Sequence, residues 1–192
     1  MPNHVTSRVK ISGPLDTLKR LRTNLWKQDR NGAFAELYLD FDGIVPETED
    51  VKKSGENPEY YPEEFLRHWK PHSIWAIHPM PYWCEWRCEN WGTKWNSYSG
   101  EETTVPESEG DSWEFKIETA WSAPKEIYRA LAKQNPDIQI YVEYADEDIG
   151  HNCGIITIGA GADEFEDKDG DEDFAAQVHG YENYKAMQED AE

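Results

Sequence analysis

Cysteine is scarce, cations are few and long apolar runs are missing, and each shortage closes off a class of function. The three cysteines, Cys84, Cys88 and Cys153, are an odd number in a chain of 192 residues. That argues against a disulfide framework and fits a reducing compartment. No stretch of about 18 apolar residues is present, and Met1 to Lys10 contains no apolar signal core. Neither a membrane span nor a secretory leader is expected, and the expected address is the cytosol. Only 19 Lys and Arg stand against 39 Asp and Glu, for a net charge of −20. So negative a surface repels phosphate, disfavours broad binding to nucleic acid or anionic lipid, and attracts a basic partner surface.

Motifs of catalysis are missing too. The chain has no GxSxG elbow, no GxxxxGK[ST] phosphate loop and no HExxH zinc helix, so no catalytic residue is assigned. Gly159-Ala160-Gly161-Ala162 lacks the third glycine and following helix of a dinucleotide turn and is expected to end a strand. Asp167-Lys168-Asp169-Gly170-Asp171 is superficially EF-hand-like, but phasing on Gly170 puts Phe165 first and Ala176 twelfth, neither of them a ligand. Cys84 and Cys88 share a helical face, and His72, His78 or His151 would have to complete a zinc set; no second cysteine pair matches them. No metal and no cofactor are assigned. With 39 acids some close carboxylate pair is inevitable, so such a pair carries no information.

What the chain does have is aromatic mass: nine Trp, ten Tyr and six Phe, enough for a real core in one domain with an appendage. The charge is uneven. Residues 1–30 hold seven basic and two acidic residues, 31–161 hold ten and 25, and 162–192 hold two and 12. Ala162 to Asp173 has eight acids in twelve positions, and Phe174, Val178, Tyr181, Tyr184 and Met187 follow at spacings that suit a docked terminal helix.

Period-2 alternation predicts four half-buried strands, at Val5–Ile11, Ala35–Phe41, Trp113–Thr119 and Ile138–Tyr144, and a short apolar fifth at Cys153–Ile158. Leu15, Leu18, Leu21 and Leu25 predict a helix after Gly13-Pro14, running to Asn31-Gly32. Ser122-Ala123-Pro124 opens a second, with Ile127, Tyr128 and Leu131 on its apolar face and Asn135-Pro136 at its end. The fold class is therefore α+β, a ferredoxin-like split βαβ sheet. It is expected over residues 1–161, with a Trp-rich insert at about 46–111 and a partly flexible acidic C-terminal tail over 162–192. Trp69, Trp75, Trp83, Trp86, Trp91 and Trp95 fall in the insert, which is expected to form a satellite core or lid, with a short helix from Pro81 to about Asn90.

Asn90-Trp91-Gly92-Thr93-Lys94-Trp95-Asn96, with Trp86-Arg87-Cys88-Glu89 before it, the opening Met1-Pro2-Asn3-His4-Val5-Thr6 and the junction Thr119-Ala120-Trp121-Ser122-Ala123-Pro124 resemble the YubB-like ferredoxin-domain family of phages and conjugative plasmids. The resemblance covers about residues 1–160 and implies a ferredoxin-like fold, a mobile-element origin and hence a bacterial host cytoplasm. It implies no catalytic residues. The NWGTKW motif reads structurally as two buried indoles around a tight turn, or functionally as an aromatic cage for a cation.

In the usual 4-1-3-2 strand order, the second and third predicted strands are neighbours. Glu36, Asp40 and Asp42 then lie beside Glu114 and Glu118 on the wet face, at an i,i+2 spacing of roughly 6.5–7 Å that imitates successive phosphates. Arg8, Lys10 and Lys116 share that face and would neutralise part of it. Adding Glu143, Asp146, Glu147 and Asp148, and Asp163, Glu164, Glu166, Asp167, Asp169, Asp171, Glu172 and Asp173 of the tail, gives the expected partner-binding surface. The expected function is non-enzymatic: an acidic, DNA-mimicking inhibitor that occludes the basic surface of a host nucleic-acid-handling complex, such as a CRISPR effector or restriction system. The alternative is a single-stranded nucleic-acid-binding or mobile-element accessory module using Tyr38, Tyr141 and the basic first helix (Lys19, Arg20, Arg22, Lys27). An enzyme built around His4, His68 or His78 is a third reading.

Overall fold

The structure, a computed structural model, describes residues 3–29, 37–69 and 80–190. In chain order its elements are β1 (His4–Ser12), α1 (Leu15–Leu25), β2 (Trp26–Gln28), β3 (Leu37–Leu39), α2 (Glu49–Glu56), α3 (Glu63–His68), α4 (Tyr82–Asn90), β4 (Tyr98–Thr104), β5 (Ser112–Ala120), α5 (Lys125–Gln134), β6 (Gln139–Asp146), β7 (Gly154–Gly159), β8 (Ala162–Asp167), α6 (Glu172–Val178) and α7 (Tyr184–Asp190). The eight strands form one antiparallel sheet in the order β2-β3-β4-β5-β1-β6-β7-β8.

Its centre, β4-β5-β1-β6 with α1 and α5 as the crossovers, has the 4-1-3-2 order of a ferredoxin-like unit read from the far edge. Alternation decides which face is covered. Val9 and Ile11 of β1, Phe115 and Ile117 of β5, and Ile140 and Val142 of β6 lie under Leu18, Leu21 and Leu25 of α1 and Ile127, Tyr128 and Leu131 of α5, all in one buried cluster. Each of these side chains removed from water contributes roughly 1.5–3 kcal/mol.

Two assignments change. The second strand of the unit is β4, inside the stretch expected to be an insert, because Tyr98, Glu101 and Thr104 pair with Glu118, Lys116 and Glu114. Of the strand expected at 35–41, the described residues show Leu37–Leu39, and residues 35 and 36 lie outside them; it pairs with β4 through Leu37 and Gly100 and not with β5. The first helix also stops earlier than its apolar spacing suggests. Trp26 leaves α1 in extended geometry, pairs with Leu39, and sets its ring 6.0 Å from Trp113 and 5.2 Å from Phe115. Indole burial against the sheet outweighs one more helical turn.

Of the tryptophan segment, Trp91 and Trp86 join the main core and not a satellite, while Trp75 lies outside the described residues. Trp91 is 1% exposed within the main cluster, donates from Nε1 to Val45 O at 2.9 Å, and lies edge-on to Phe41 and Trp86. Gly92 has φ +78°, and a Cβ there would stand 3.1 Å from the Lys125 amide nitrogen, so the close approach of this turn to the start of α5 requires glycine. Ser122, expected to cap α5, donates its hydroxyl to Gly92 O instead, and α5 begins after Pro124 without a side-chain cap.

The sheet also continues across the expected boundary at 161/162. Ala160 (φ 52°) and Gly161 (φ 89°) sit between the paired Gly159 and Ala162, a two-residue hairpin of the left-handed kind that suits strand twist. β8 then runs antiparallel to β7 over its whole length. After it α6 folds over the wet face at one end, where Ala175 and Val178 bury against Ala145 and Cys153 with Phe174 and Ile149 alongside.

Candidate interaction surface

The wet face of the central strands is assembled by register. Lys10 lies opposite Glu114 on one side and Tyr141 on the other; Arg8 lies opposite Lys116 and Glu143. Its charges are consequently matched. Lys10 Nζ is 3.0 Å from Glu114 Oε1, Arg8 Nη1 is 3.8 Å from Glu143 Oε2, and Lys116 Nζ is 4.0 Å from Glu101 Oε2. The Ser112 hydroxyl and the Lys10 ammonium hold the Glu114 carboxyl below its usual range. Glu118 has no ion pair among the described residues. With the cations in place, this face does not present a row of phosphate-like charges. Asp40 and Asp42 are not beside Glu114 and Glu118: they follow β3, where Asp42 Oδ1 accepts from the Glu47 amide at 2.6 Å and Asp40 lies near the Asn96 amide. Glu36 lies outside the described residues.

Along the far margin the pattern reverses. β8 is the last strand of the sheet, with Asp163, Glu164, Phe165, Glu166 and Asp167 all exposed. Residues 162–173 carry eight carboxylates against Lys168 alone. Several have structural work. Asp163 accepts from Arg129 at 3.0 Å, and Glu166 pairs with Lys168. Asp167 Oδ1 takes the Asp169 amide at 2.9 Å, Asp169 Oδ1 takes the Cys153 amide at 3.0 Å, and Asp171 Oδ1 caps α6 at Phe174 N at 2.9 Å. Asp173 Oδ1 accepts from the Tyr184 amide. The EF-hand-like acids thus close a turn between strand and helix. Glu164 and Glu172 have no ion pair among the described residues and face water; so do Glu147 and Asp148 in the turn after β6.

Asp146, expected on the partner surface, is only 4% exposed and belongs to the framework. Its carboxylate takes hydrogen bonds from Asn3 Nδ2 (3.1 Å), Asn152 Nδ2 (2.9 Å) and the Asp148 amide (2.9 Å), and its carbonyl lies 3.0 Å from His179 Nε2 on the α6 side.

The other expectations divide. Trp95 does take part in an aromatic cage, but the cation is internal: Lys94 Nζ lies 5.3 Å from the Trp95 ring and 4.3 Å from that of Trp121. Tyr38 and Tyr141, on β3 and β6, are separated by three strands, and the basic helix packs on the covered face, where Arg22 grips Glu102 through two bonds of 2.6 and 2.7 Å. The Cys88 thiol hydrogen-bonds Cys84 and lowers it to about 7 while its own value rises. Among the described residues no three His, Cys, Asp or Glu converge as metal ligands. His72 and His78 lie outside the described residues. His4 Nδ1 is 2.7 Å from the Tyr98 hydroxyl and His68 Nδ1 is 2.9 Å from Glu64 O, and among the described residues neither imidazole has an ion pair with a carboxylate. Among the described residues no helix is long and apolar enough to cross a membrane.

The surface that sequence reasoning missed lies between α2, α3 and α4. It is a cavity of about 1030 Å³, with Tyr60, Phe65, Tyr82 and Trp86 among its walls and Asp50, Glu64, Glu85 and Glu89 around it. The crowding of aromatic and acidic residues between 50 and 89 was the available signal.

A family model described as the ferredoxin-like domain in Api92-like protein covers residues 90–190, from the NWGTKW turn through β8 to the end of α7. No curated protein and no solved structure matches the chain.

Proposed function

The chain belongs to the family of ferredoxin-like domains in Api92-like proteins, and from that premise we propose that it is a non-enzymatic acidic binding protein that occludes a basic surface of a host nucleic-acid-handling complex. A CRISPR effector or restriction system is the intended target class, and the mode is that of a DNA mimic. The YubB-like resemblance of Asn90 to Asn96 and of the Thr119–Pro124 junction supports an origin on a phage or plasmid. The observation that carries the reading is the margin formed by β8 and the start of α6. Its carboxylates outnumber cations eight to one over residues 162–173, and Glu164 and Glu172 are exposed with no ion pair among the described residues. Such a strip steers a basic groove toward itself from a distance and weakens with salt. Glu164 and Glu166, the one i,i+2 pair of acids on β8, lie roughly 6.5–7 Å apart, on the scale of successive phosphates. The wet face contributes little, because Glu101, Glu114 and Glu143 are already ion-paired and Glu118 alone is left without an ion pair among the described residues.

The test is affinity capture from bacterial host lysate, with the full chain as bait at low salt and at about 1 M salt, where the screening length falls to about 3 Å. A captured nucleic-acid-binding protein that is released by salt and lost with the bait Glu164→Lys/Glu172→Lys is the expected result. Capture unchanged by both treatments overturns the reading.

A further inference from the structure

The aromatic slots of this molecule mostly hold its own cations. Lys94 lies between Trp95 and Trp121, Arg87 sits 5.1 Å from the Trp83 ring and 4.9 Å from that of Trp91, and Lys125 lies 3.6 Å from Phe165 and 5.4 Å from Tyr144. Among the described residues, the cavity between α2, α3 and α4 has the same ingredients without an internal cation at its centre. Its frame is rigid where α2 meets α4: Val51, Ser54 and Cys84 are buried, and Ser54 Oγ accepts the Trp83 amide at 3.1 Å. From this frame Tyr60, Phe65, Tyr82 and Trp86 form the walls, Phe65 standing edge-on to Tyr82 at 5.2 Å. The Tyr60 hydroxyl donates to Asp50 at 2.7 Å, which fixes one wall to one carboxylate.

Charge in the lining is one-sided. Asp50, Glu63, Glu64, Glu85 and Glu89 face a single constant cation, Arg67, which is spent on Glu63 at 2.8 Å. Lys53 touches the site from outside, 5.9 Å from the Tyr60 ring and 3.8 Å from Asp50. Glu64, Glu85 and Glu89 have no ion pair among the described residues. The Tyr82 phenol feels the charge of Asp50, Glu89 and Glu64, its ionisation being pushed up by burial first and then by these three. The carboxylates are distributed around the walls, and no three converge on one point as metal ligands. Such a site suits a ligand with several separated positive charges joined by apolar links: methylenes lie on the rings and ammonium groups reach the acids.

We propose that the cavity between α2, α3 and α4 binds an aliphatic polyamine, with Glu85, Glu89 and Glu64 taking its ammonium groups and Phe65, Tyr82 and Trp86 covering its methylenes. This site shares no residue with the acidic margin of β8 and stands or falls apart from it.

Titration calorimetry of the full chain with spermidine, with Trp fluorescence in parallel, tests it. Saturable one-to-one binding is expected, with Mg²⁺ at equal charge concentration failing to compete. Glu85→Gln/Glu89→Gln should weaken spermidine at least about tenfold, since loss of two charge-assisted contacts exceeds the 1.4 kcal/mol that a factor of ten represents. Phe65→Leu, which keeps the apolar volume but removes a ring face, should weaken it by a smaller factor. Glu164→Lys/Glu172→Lys on the margin should leave it unchanged, and far-ultraviolet circular dichroism of each variant confirms the fold. Equal binding by Glu85→Gln/Glu89→Gln, displacement by Mg²⁺, loss on changing the margin alone, or binding of a lysine-rich peptide but not of spermidine would each overturn the proposal.

Discussion

On the central wet face Glu101, Glu114 and Glu143 each meet a cation across a strand, whereas on the margin of β8 and α6 eight carboxylates share Lys168 and a reach from Arg129. In the sequence the first reads as strands dotted with Asp and Glu and the second as an acidic tail, yet both are strands of one sheet. The difference is topological. Interior strands have two neighbours, so β1 can place Arg8 and Lys10 against acids on β5 and β6 together. The edge strand has one neighbour, β7, whose facing residues Ile155, Thr157 and Gly159 bring no charge. Acidity therefore survives as surface potential where pairing partners run out. It also protects an exposed sheet edge from pairing with another copy.

The comparison breaks most sharply at Asp146, an acid beside the margin that has a structural job. Asp146→Ala removes the acceptor of three hydrogen bonds in a site only 4% exposed; the Asn3 amide and the Asp148 backbone amide lose this acceptor, while Asn152 Nδ2 keeps Trp121 O. A loss of about 3 kcal/mol is expected from urea unfolding. Glu147→Ala and Asp148→Ala, one and two residues on and exposed, should stay within about 0.5 kcal/mol of the parent. If all three behave alike, burial does not separate structural from surface acids here.

How much of this was legible beforehand depended on where apolar residues fell. β1, β5, β6, β7 and α5 announced themselves, since each places an apolar face on the core, and α4 through Pro81 at its start; the usual 4-1-3-2 order then holds. β4, Tyr-Ser-Gly-Glu-Glu-Thr-Thr, did not. Its covered face offers Glu102 to Arg22 and to the Trp113 indole at 2.9 Å, so a carboxylate stands where the pattern leads one to expect an aliphatic, and two register irregularities blur the period. β8 was hidden similarly, with Phe165 as its one large apolar residue. Misplacing the second strand then put Asp40 and Asp42 on a face they never reach. The cavity between α2, α3 and α4 was out of sight because its residues are gathered by helix packing and not by period.

A double-mutant cycle on Lys10 and Glu114 sharpens the other side of the comparison. The pair is 3.0 Å apart, and its side chains are 52% and 32% exposed, so solvent screens it. Lys10→Met, Glu114→Gln and the double variant should give a coupling of about 0.2–1 kcal/mol by chemical denaturation. None of the three should alter capture of a basic partner, because their charges cancel locally. A loss of capture with Glu114→Gln alone would return the wet face to the binding surface.

The smallest effect is a pH dependence. Glu114 is held below its usual range in the fold by Ser112 first and Lys10 next, while in the unfolded chain it keeps an ordinary value near 4.5. A depressed carboxyl binds its proton less readily when folded, so the stabilisation is complete above the unfolded value. It fades as pH falls through the folded value and is absent below it. Partial exposure limits the amount to about 0.5 kcal/mol. Carboxyl-carbon NMR should place the Glu114 midpoint below that of glutamates in the urea-unfolded chain, and Lys10→Met should move it upward without removing the shift, since the Ser112 hydroxyl remains. Ser112→Ala should move it further than Lys10→Met does. The opposite order would mean that charge pairing, and not the hydroxyl, sets the acid on this face, making the contrast with the unpaired margin purely electrostatic.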